Sequence, residues 1–430
     1  MKTDQIQKVH KDWYKLDLSA IVYPTLQRRD FSSVYRLSVL LKEDIDPEIL
    51  QRAVNLTMPR FPTYKAAIRK GVFWRYLEPN DRPGPFVQED VKNPCQPMHF
   101  KGNNRYLVRI YYYRNRIALE AHHSLGDGTG GMCVLQTLTA TYLRLKGHSE
   151  IENGGFVLDI LGIPDPGELE DAYMKYANAK VCPPRPGEKT YRVRGTKEPF
   201  YTLNIIDGIM SVSEVMRVAK SYNATITEYL NSVLLYALMQ KQESEWHLKL
   251  RSVKIAMPVN LRRFFPSRTL RNFITMIYPG IDPRLGEYTF EEIVTQVHNY
   301  MRYYLNEKLL RGDITTNAET QRNPFIRIVP LFIKDLVVRQ FYTKIQDKNS
   351  SAGLTNMGAL KVPETMKPYI ERFDIYMGQP FSTRTNCAIA SFEDILTINF
   401  ASSIAETDVE RLFFRKLVQD GIHVKIESNR

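Results

Sequence analysis

The segment Arg116–Met132 constrains the fold more than any other part of the chain. Ile117, Leu119 and Ala121 alternate with Ala118, Glu120 and His122, which is the period of a half-buried strand. Gly126, Gly128, Gly130 and Gly131 then interrupt that pattern. Beyond them Met132, Leu135, Leu138, Tyr142 and Leu145 fall on one side of a helix. The reading is a strand, a Gly-rich turn and a helix, with the pair His122-His123 delivered at the strand end. If the alternation continues, His123 shares a face with Ile117, Leu119 and Ala121, and His122 points the other way.

That placement suits proton transfer. A neutral imidazole near pH 7 accepts a proton in one step and returns it in the next. In so tight a turn, Asp127 is expected to hold the loop through a cation elsewhere rather than to touch His123. Two His and an Asp are also metal-ligand types. Adjacent strand residues face opposite ways, however, and no further ligand cluster accompanies them, so no metal site is expected. A bare His-His pair at the end of a strand is weak evidence by itself.

The full motif, His122-His123-Ser124-Leu125-Gly126-Asp127-Gly128, resembles the active-site motif of the chloramphenicol acetyltransferase-like superfamily, which includes plant and fungal acyltransferases and the condensation domains of peptide synthetases. Arg60-Phe61-Pro62 and Gly71-Val-Phe-Trp74-Arg-Tyr76-Leu77 are similar to segments of its alcohol acetyltransferase-like branch. The resemblance implies an α/β (α+β two-layer) fold of two acetyltransferase-like subdomains, each a mixed β-sheet flanked by helices, with an active-site tunnel between them. It implies acyl transfer from a thioester to an alcohol or amine, with His123 as general base. Asp127 would be structural and paired with Arg262, the cation of the turn that follows Val253–Leu261. His122, Gly128, Asn272 and Asn356 would contact substrate. Arg271-Asn272-Phe273 matches a Gly-Asn-Phe element of the family except that Arg271 stands in place of the Gly. Leu354–Gly358 resembles the family strand that crosses between the halves and borders the acyl site.

The chain has 430 residues, more than one ordinary core accommodates. The expected division is residues 1–180 as the motif-bearing subdomain, 181–199 as a Pro-containing linker, and 200–430 as the second subdomain. The apolar fraction of 43% and charged fraction of 25% are those of a globular protein. No apolar run has the length of a membrane span, and the first residues lack a signal-peptide core, so a cytoplasmic location and no transmembrane segment are expected. Cys95, Cys133, Cys182 and Cys387 are scattered, which indicates free thiols rather than a disulfide framework. The net charge of +12 attracts anions. It suits the phosphates of acyl-CoA, the expected co-substrate, or an acyl carrier protein in its place. No cofactor is expected to be bound. The positive charges are interleaved with acids and aromatics, unlike a nucleic-acid site, so no nucleic acid is expected. A non-catalytic binding or assembly module of the same fold is the alternative. A monomer or weak dimer is expected.

Among the remaining elements, Val34–Leu41 reads as a strand and Pro47–Asn55 as a helix capped by Asp46. Tyr106–Tyr112 and Ile117–His122 read as a hairpin, and residues 168–179 as a short helix. Tyr201–Ile206, Gly378–Phe381 and Ile395–Phe400 read as strands. Ser211–Asn223, Thr225–Met239, Phe290–Leu310 and Glu406–Gly421 read as helices. Phe73, Trp74 and Tyr76 are expected to pack into the core. The same is expected of the apolar stripe on the helix at Pro330–Tyr342, although such a stripe also suits membranes.

Overall fold

The apolar stretch Val34–Leu41 forms a strand that is buried on both faces. It pairs antiparallel with the motif strand, Arg116–His122, in the register Val34↔His122 and Leu37↔Leu119. The structure, a computed structural model, describes residues 13–28, 31–180, 188–199, 202–245, 247, 249–378 and 383–430. Its first sheet runs in the order Ile370–Met377, Val34–Leu41, Arg116–His122, Val108–Tyr113, Val87–Glu89. The expected hairpin is present, and Arg114 takes a positive φ of 49° at its turn. The motif helix, Gly128–Leu145, and the helix Pro47–Thr57 pack together over this sheet. As expected, the Asp46 carboxylate caps the second of these, accepting from the backbone of Glu48 and Ile49.

A second, eight-stranded sheet carries Val253–Asn260, Ala352–Ala359, Thr385–Phe392, Ile395–Ser402 and Asn204–Ser211 as its centre. Ala352–Ala359 is parallel to both of its neighbours, whereas Thr385–Phe392, Ile395–Ser402 and Asn204–Ser211 are mutually antiparallel, so the sheet is mixed. The helices Ile226–Ser244, Phe290–Tyr304 and Asp408–Gln419 cover it. Ile226–Ser244 begins at a capping box formed by Thr225 and Glu228. A three-stranded sheet joins Tyr14–Lys15, Arg75–Pro79 and Ala66–Lys70.

Several expectations need correction. The strand Ile370–Met377 pairs with Val34–Leu41, so the first sheet takes an edge strand from the second half of the chain. The segment Phe290–Leu310 is two helices. The first ends at Tyr304, and the Asn306 side chain caps a new one, Glu307–Arg322, through Leu309 N. Residues 168–179 hold only the short helix Ala172–Tyr176 after a 3-10 turn. Phe73 and Trp74 are exposed at 38% and 52% rather than packed in the core, because Gly71–Trp74 is a turn between strands. Phe332, Ile333, Leu336 and Val337 of the helix Leu331–Asn349 also face outward, with Phe332 at 73% exposure. Cys95, Cys133 and Cys387 are free and buried. Cys182, much of the expected linker and most of Gly378–Phe381 lie outside the described residues.

Candidate active site

The motif strand ends at His122. The chain then bends, and the His123 backbone N–H donates to the Ser33 carbonyl at 2.8 Å. The glycines of the turn serve close approach. A Cβ on Gly130 would lie 1.9 Å from the Leu270 carbonyl oxygen, and one on Gly126 2.5 Å from the same atom and 2.6 Å from the Tyr64 hydroxyl. Neither residue has a positive φ, so the second half of the chain presses its backbone directly onto the turn.

His123 is held between two tyrosines. Tyr23 stacks on its ring with a centroid separation of 4.9 Å and an interplanar angle of 24°, and Tyr35 tilts against it at 4.6 Å. Its Nδ1 is buried without a hydrogen bond of good geometry, and the Gly126 backbone and the Asn272 side chain lie close to the ring. Burial pushes the imidazole down to about 4, while Asp127, Asn272 and Gly126 act in the opposite direction. The ring is therefore neutral at pH 7 and able to accept a proton.

His122 turns to the opposite face, as the alternation requires. It is fully buried. Its Nδ1 accepts from Ser124 N at 3.2 Å, its Nε2 lies 3.1 Å from Gln27 Oε1, and Phe100 meets its ring edge to face. Burial, with His123 adding to it, pushes this imidazole down to about 3. Both nitrogens are engaged within the protein, so the structure places His122 in the packing behind the turn.

Asp127 does not bond to His123. Its carboxylate accepts from Thr129 N and Gly130 N and so caps the motif helix. The same carboxylate forms a two-pronged pair with Arg262 at 2.8 and 3.3 Å and accepts from Phe273 N at 2.9 Å. Arg262 also donates to the carbonyls of Thr269 and Arg271. Asp127 and Arg262 are nearly buried, and the pair joins the turn of the first sheet to the end of a strand in the second. Asn260 adds a second tie through Thr129 Oγ1 at 3.2 Å.

Asn272 donates to the His123 carbonyl at 2.9 Å and to Asp17 at 3.1 Å. Asp17, Arg271, Tyr23 and Tyr35 were not among the residues expected from the sequence. Asp17 is fully buried, and burial raises its carboxyl despite the opposing charge of Arg271, 3.6 Å away. The Arg that replaces the family Gly is thus the counter-ion of a buried acid beneath His123. An acid flanked by Leu16 and Leu18 was the available signal. Gly128 opens the motif helix, and a Cβ there would meet Met357 Sδ at 3.0 Å. The strand of Asn356 therefore borders the turn through Met357. The Asn356 side chain itself bonds to Thr227 and to Gly358 N and is not brought to His123.

No protein-family model and no curated protein sequence matches the chain. Solved structures do. The TRI3 trichothecene 15-O-acetyltransferase from Fusarium sporotrichioides superposes with a TM-score of 0.59 at 13% identity, covering 95% of this chain and 94% of that one. The starter condensation domain of rhizomide synthetase gives 0.60 at 12% identity, covering 98% and 100%. The first condensation domain of the calcium-dependent antibiotic synthetase gives 0.59 at 14% identity, covering 96% and 99%. The chain has the chloramphenicol acetyltransferase-like/condensation-domain fold. In the frame of that fold, the His-His-x-x-x-Asp-Gly turn lies where the two sheet systems meet. Asp127 and Arg262 clamp that junction.

Proposed function

We propose that this protein is an acyltransferase that moves an acetyl or other acyl group from an acyl-CoA thioester to an alcohol or amine. The observation that carries the reading is His123: neutral, partly accessible and fixed between Tyr23 and Tyr35 at a junction clamped by Asp127 and Arg262. It rests on a fold shared with an O-acetyltransferase and with a condensation domain crystallised with C8-CoA. We assign residues 1–180 and 200–430 to the two subdomains, with the strand Ile370–Met377 exchanged into the first, and place substrates between them.

In this mechanism His123 Nε2 takes the proton of the acceptor hydroxyl as its oxygen attacks the thioester carbonyl carbon. The Gly128 N–H, just ahead of the Thr129 and Gly130 N–H groups that donate to Asp127, is assigned to the tetrahedral oxyanion. The C–S bond then breaks, and the imidazolium returns its proton to the thiolate. The products are an ester and free CoA. Asp127 and Arg262 act as positioning residues. Asn272, which donates to the His123 carbonyl, is assigned to holding the His123 backbone, and His122, which accepts from Ser124 N, to holding the turn behind it, rather than to touching substrate. The net charge of +12 favours a phosphate-bearing donor in the cytoplasm.

The test is thiol release from acetyl-CoA and longer acyl-CoAs with a panel of alcohols and amines. We expect release that requires an acceptor and falls by roughly 10²–10⁴-fold in His123→Ala. Wild-type turnover in that variant would refute the mechanism. The matches to condensation domains favour a second reading in which a carrier protein presents the acyl group. Turnover with acyl-carrier thioesters alone would select it.

A further inference from the structure

The helix Leu331–Asn349 turns large apolar side chains to solvent along its first half, residues 331–340. It is anchored through Asp335, which accepts two hydrogen bonds from Arg75 and one from Thr25, and through Arg339, which stays exposed while donating to the Thr25 carbonyl. Its outward side carries Phe332, Ile333, Leu336 and Val337, exposed by 41–73%. A surface helix ordinarily turns its apolar stripe inward.

Two neighbouring elements extend this face. Leu331 N donates to the Val72 carbonyl and Lys334 Nζ to the Phe73 carbonyl, which fixes the Val72–Trp74 turn beside the helix start. Lys334 Nζ also donates to the Arg327 carbonyl, which ties in the short helix Pro324–Ile328. There Phe325 is 77% and Ile328 69% exposed. Val72 is 71% and Trp74 52% exposed. So many large apolar side chains on one surface exceed the scattered singles of ordinary surfaces.

The charge around the face is basic. Arg322, Arg327, Lys334 and Arg339 accompany Asp335 alone between residues 322 and 340, and Asp335 is neutralised by Arg75. Apolar and aromatic side chains rimmed by Arg and Lys are what the interface of an anionic bilayer accommodates. No helix among the described residues is long and apolar enough to cross a membrane. We propose that this face docks the protein on an anionic phospholipid bilayer, burying Phe332, Ile333, Leu336 and Val337 together with the Val72–Trp74 turn at the headgroup boundary.

The test is sedimentation of the full chain with vesicles of phosphatidylcholine, alone or mixed with phosphatidylglycerol, at low and high salt. The wild type is expected to sediment with the mixed vesicles and to be released by salt. The double substitution Phe332→Ser/Leu336→Ser is expected to weaken binding by roughly tenfold or more. Arg322→Glu/Arg327→Glu is expected to abolish the preference for phosphatidylglycerol. Leu161→Ser, at a residue 89% exposed elsewhere, is expected to bind as the wild type does. Unchanged thermal melting shows that each variant is folded, and none of these readouts depends on turnover. The proposal is overturned if the wild type binds neither vesicle, or if the Phe332/Leu336 variant binds as tightly as the wild type. It is equally overturned if the wild type ignores vesicles but forms a dimer that this variant dissolves, because the face then belongs to a second copy.

Discussion

Asp127 answers to four donors at once: two backbone N–H groups of its own helix, the Phe273 N–H and the Arg262 guanidinium. Removing its carboxylate leaves Arg262 buried against carbonyls alone. Asp127→Ala is therefore expected to cost about 3 kcal/mol of stability, read as a lower urea midpoint. Adding Arg262→Ala should cost much less than the sum of the two single changes. An unchanged midpoint in Asp127→Ala would contradict the clamp. For His123, burial lowers the imidazole to about 4, so the base form persists to well below pH 6. The acid limb of kcat/KM is expected near pH 4 rather than near 6.5, and a limb at 6.5 would place the base elsewhere. The stability sign follows from the same shift. Between pH 6.5 and 4 the unfolded chain binds a proton at this position that the folded chain refuses, so this stability is present above 6.5 and is lost as pH falls through that window. Asp207 works oppositely. Burial, with Asp374 adding to it, raises its carboxyl above the usual carboxylate range, so its share is present at low pH and is lost as pH rises. At this scale the sequence was partly legible. Strand alternation placed His122 and His123 on opposite faces, and family resemblance supplied the Asp127–Arg262 pair. The tyrosines around His123 were not legible, because Tyr23 and Tyr35 are remote in sequence and carry no motif.

The turn between the motif strand and motif helix shows what its glycines are for. Periodicity reads them as strand breakers, whereas the structure uses Gly126 and Gly130 to admit the Leu270 carbonyl. Gly130→Ala is expected to destabilise by about 1–3 kcal/mol, because the obstructing atom is backbone. Gly147→Ala lacks any neighbour within 4 Å but has a φ of +115°, so its cost would come from backbone strain alone. Comparing the denaturation midpoints of the two separates steric from conformational cost, and a neutral Gly130→Ala would show that Leu270 yields freely. Helix and strand identities were readable from apolar spacing and, at Asp46, from a cap. The direction of an apolar face was not. A stripe at Phe332, Ile333, Leu336 and Val337 has the same spacing whether it packs on a sheet or on solvent, and Asp335 and Arg339 find their partners only through Arg75 and Thr25. The break at Asn306 was missed because its cap lies inside an otherwise continuous helical pattern.

At the scale of the molecule, the two sheet systems are bound by more than the Asp127–Arg262 clamp. Within Ile370–Met377, Ile375 N donates to Asn399 and the Tyr376 hydroxyl to Asp207, while the backbone pairs with Val34–Leu41. One strand thus belongs to the first sheet by hydrogen bonding and to the second by its side chains. A chain ending at residue 369 is expected to lose soluble recovery, since Val34–Leu41 would present an apolar edge and the second sheet would lose Thr385–Phe392 and Ile395–Ser402. A soluble, cooperatively folding product of that length would show the exchange to be dispensable. The overall two-sheet architecture was legible from length and motif, but this pairing was not, because no local pattern encodes a partner so far along the chain. It also sets a clock on synthesis. At translation rates of about 5–20 residues per second, Val34–Leu41 waits roughly 15–65 s for the ribosome to deliver the strand that closes its sheet. Throughout that interval the nascent chain depends on whatever shields an open edge, so slower growth temperature or added chaperone should raise the yield of folded protein more than any change at the active site.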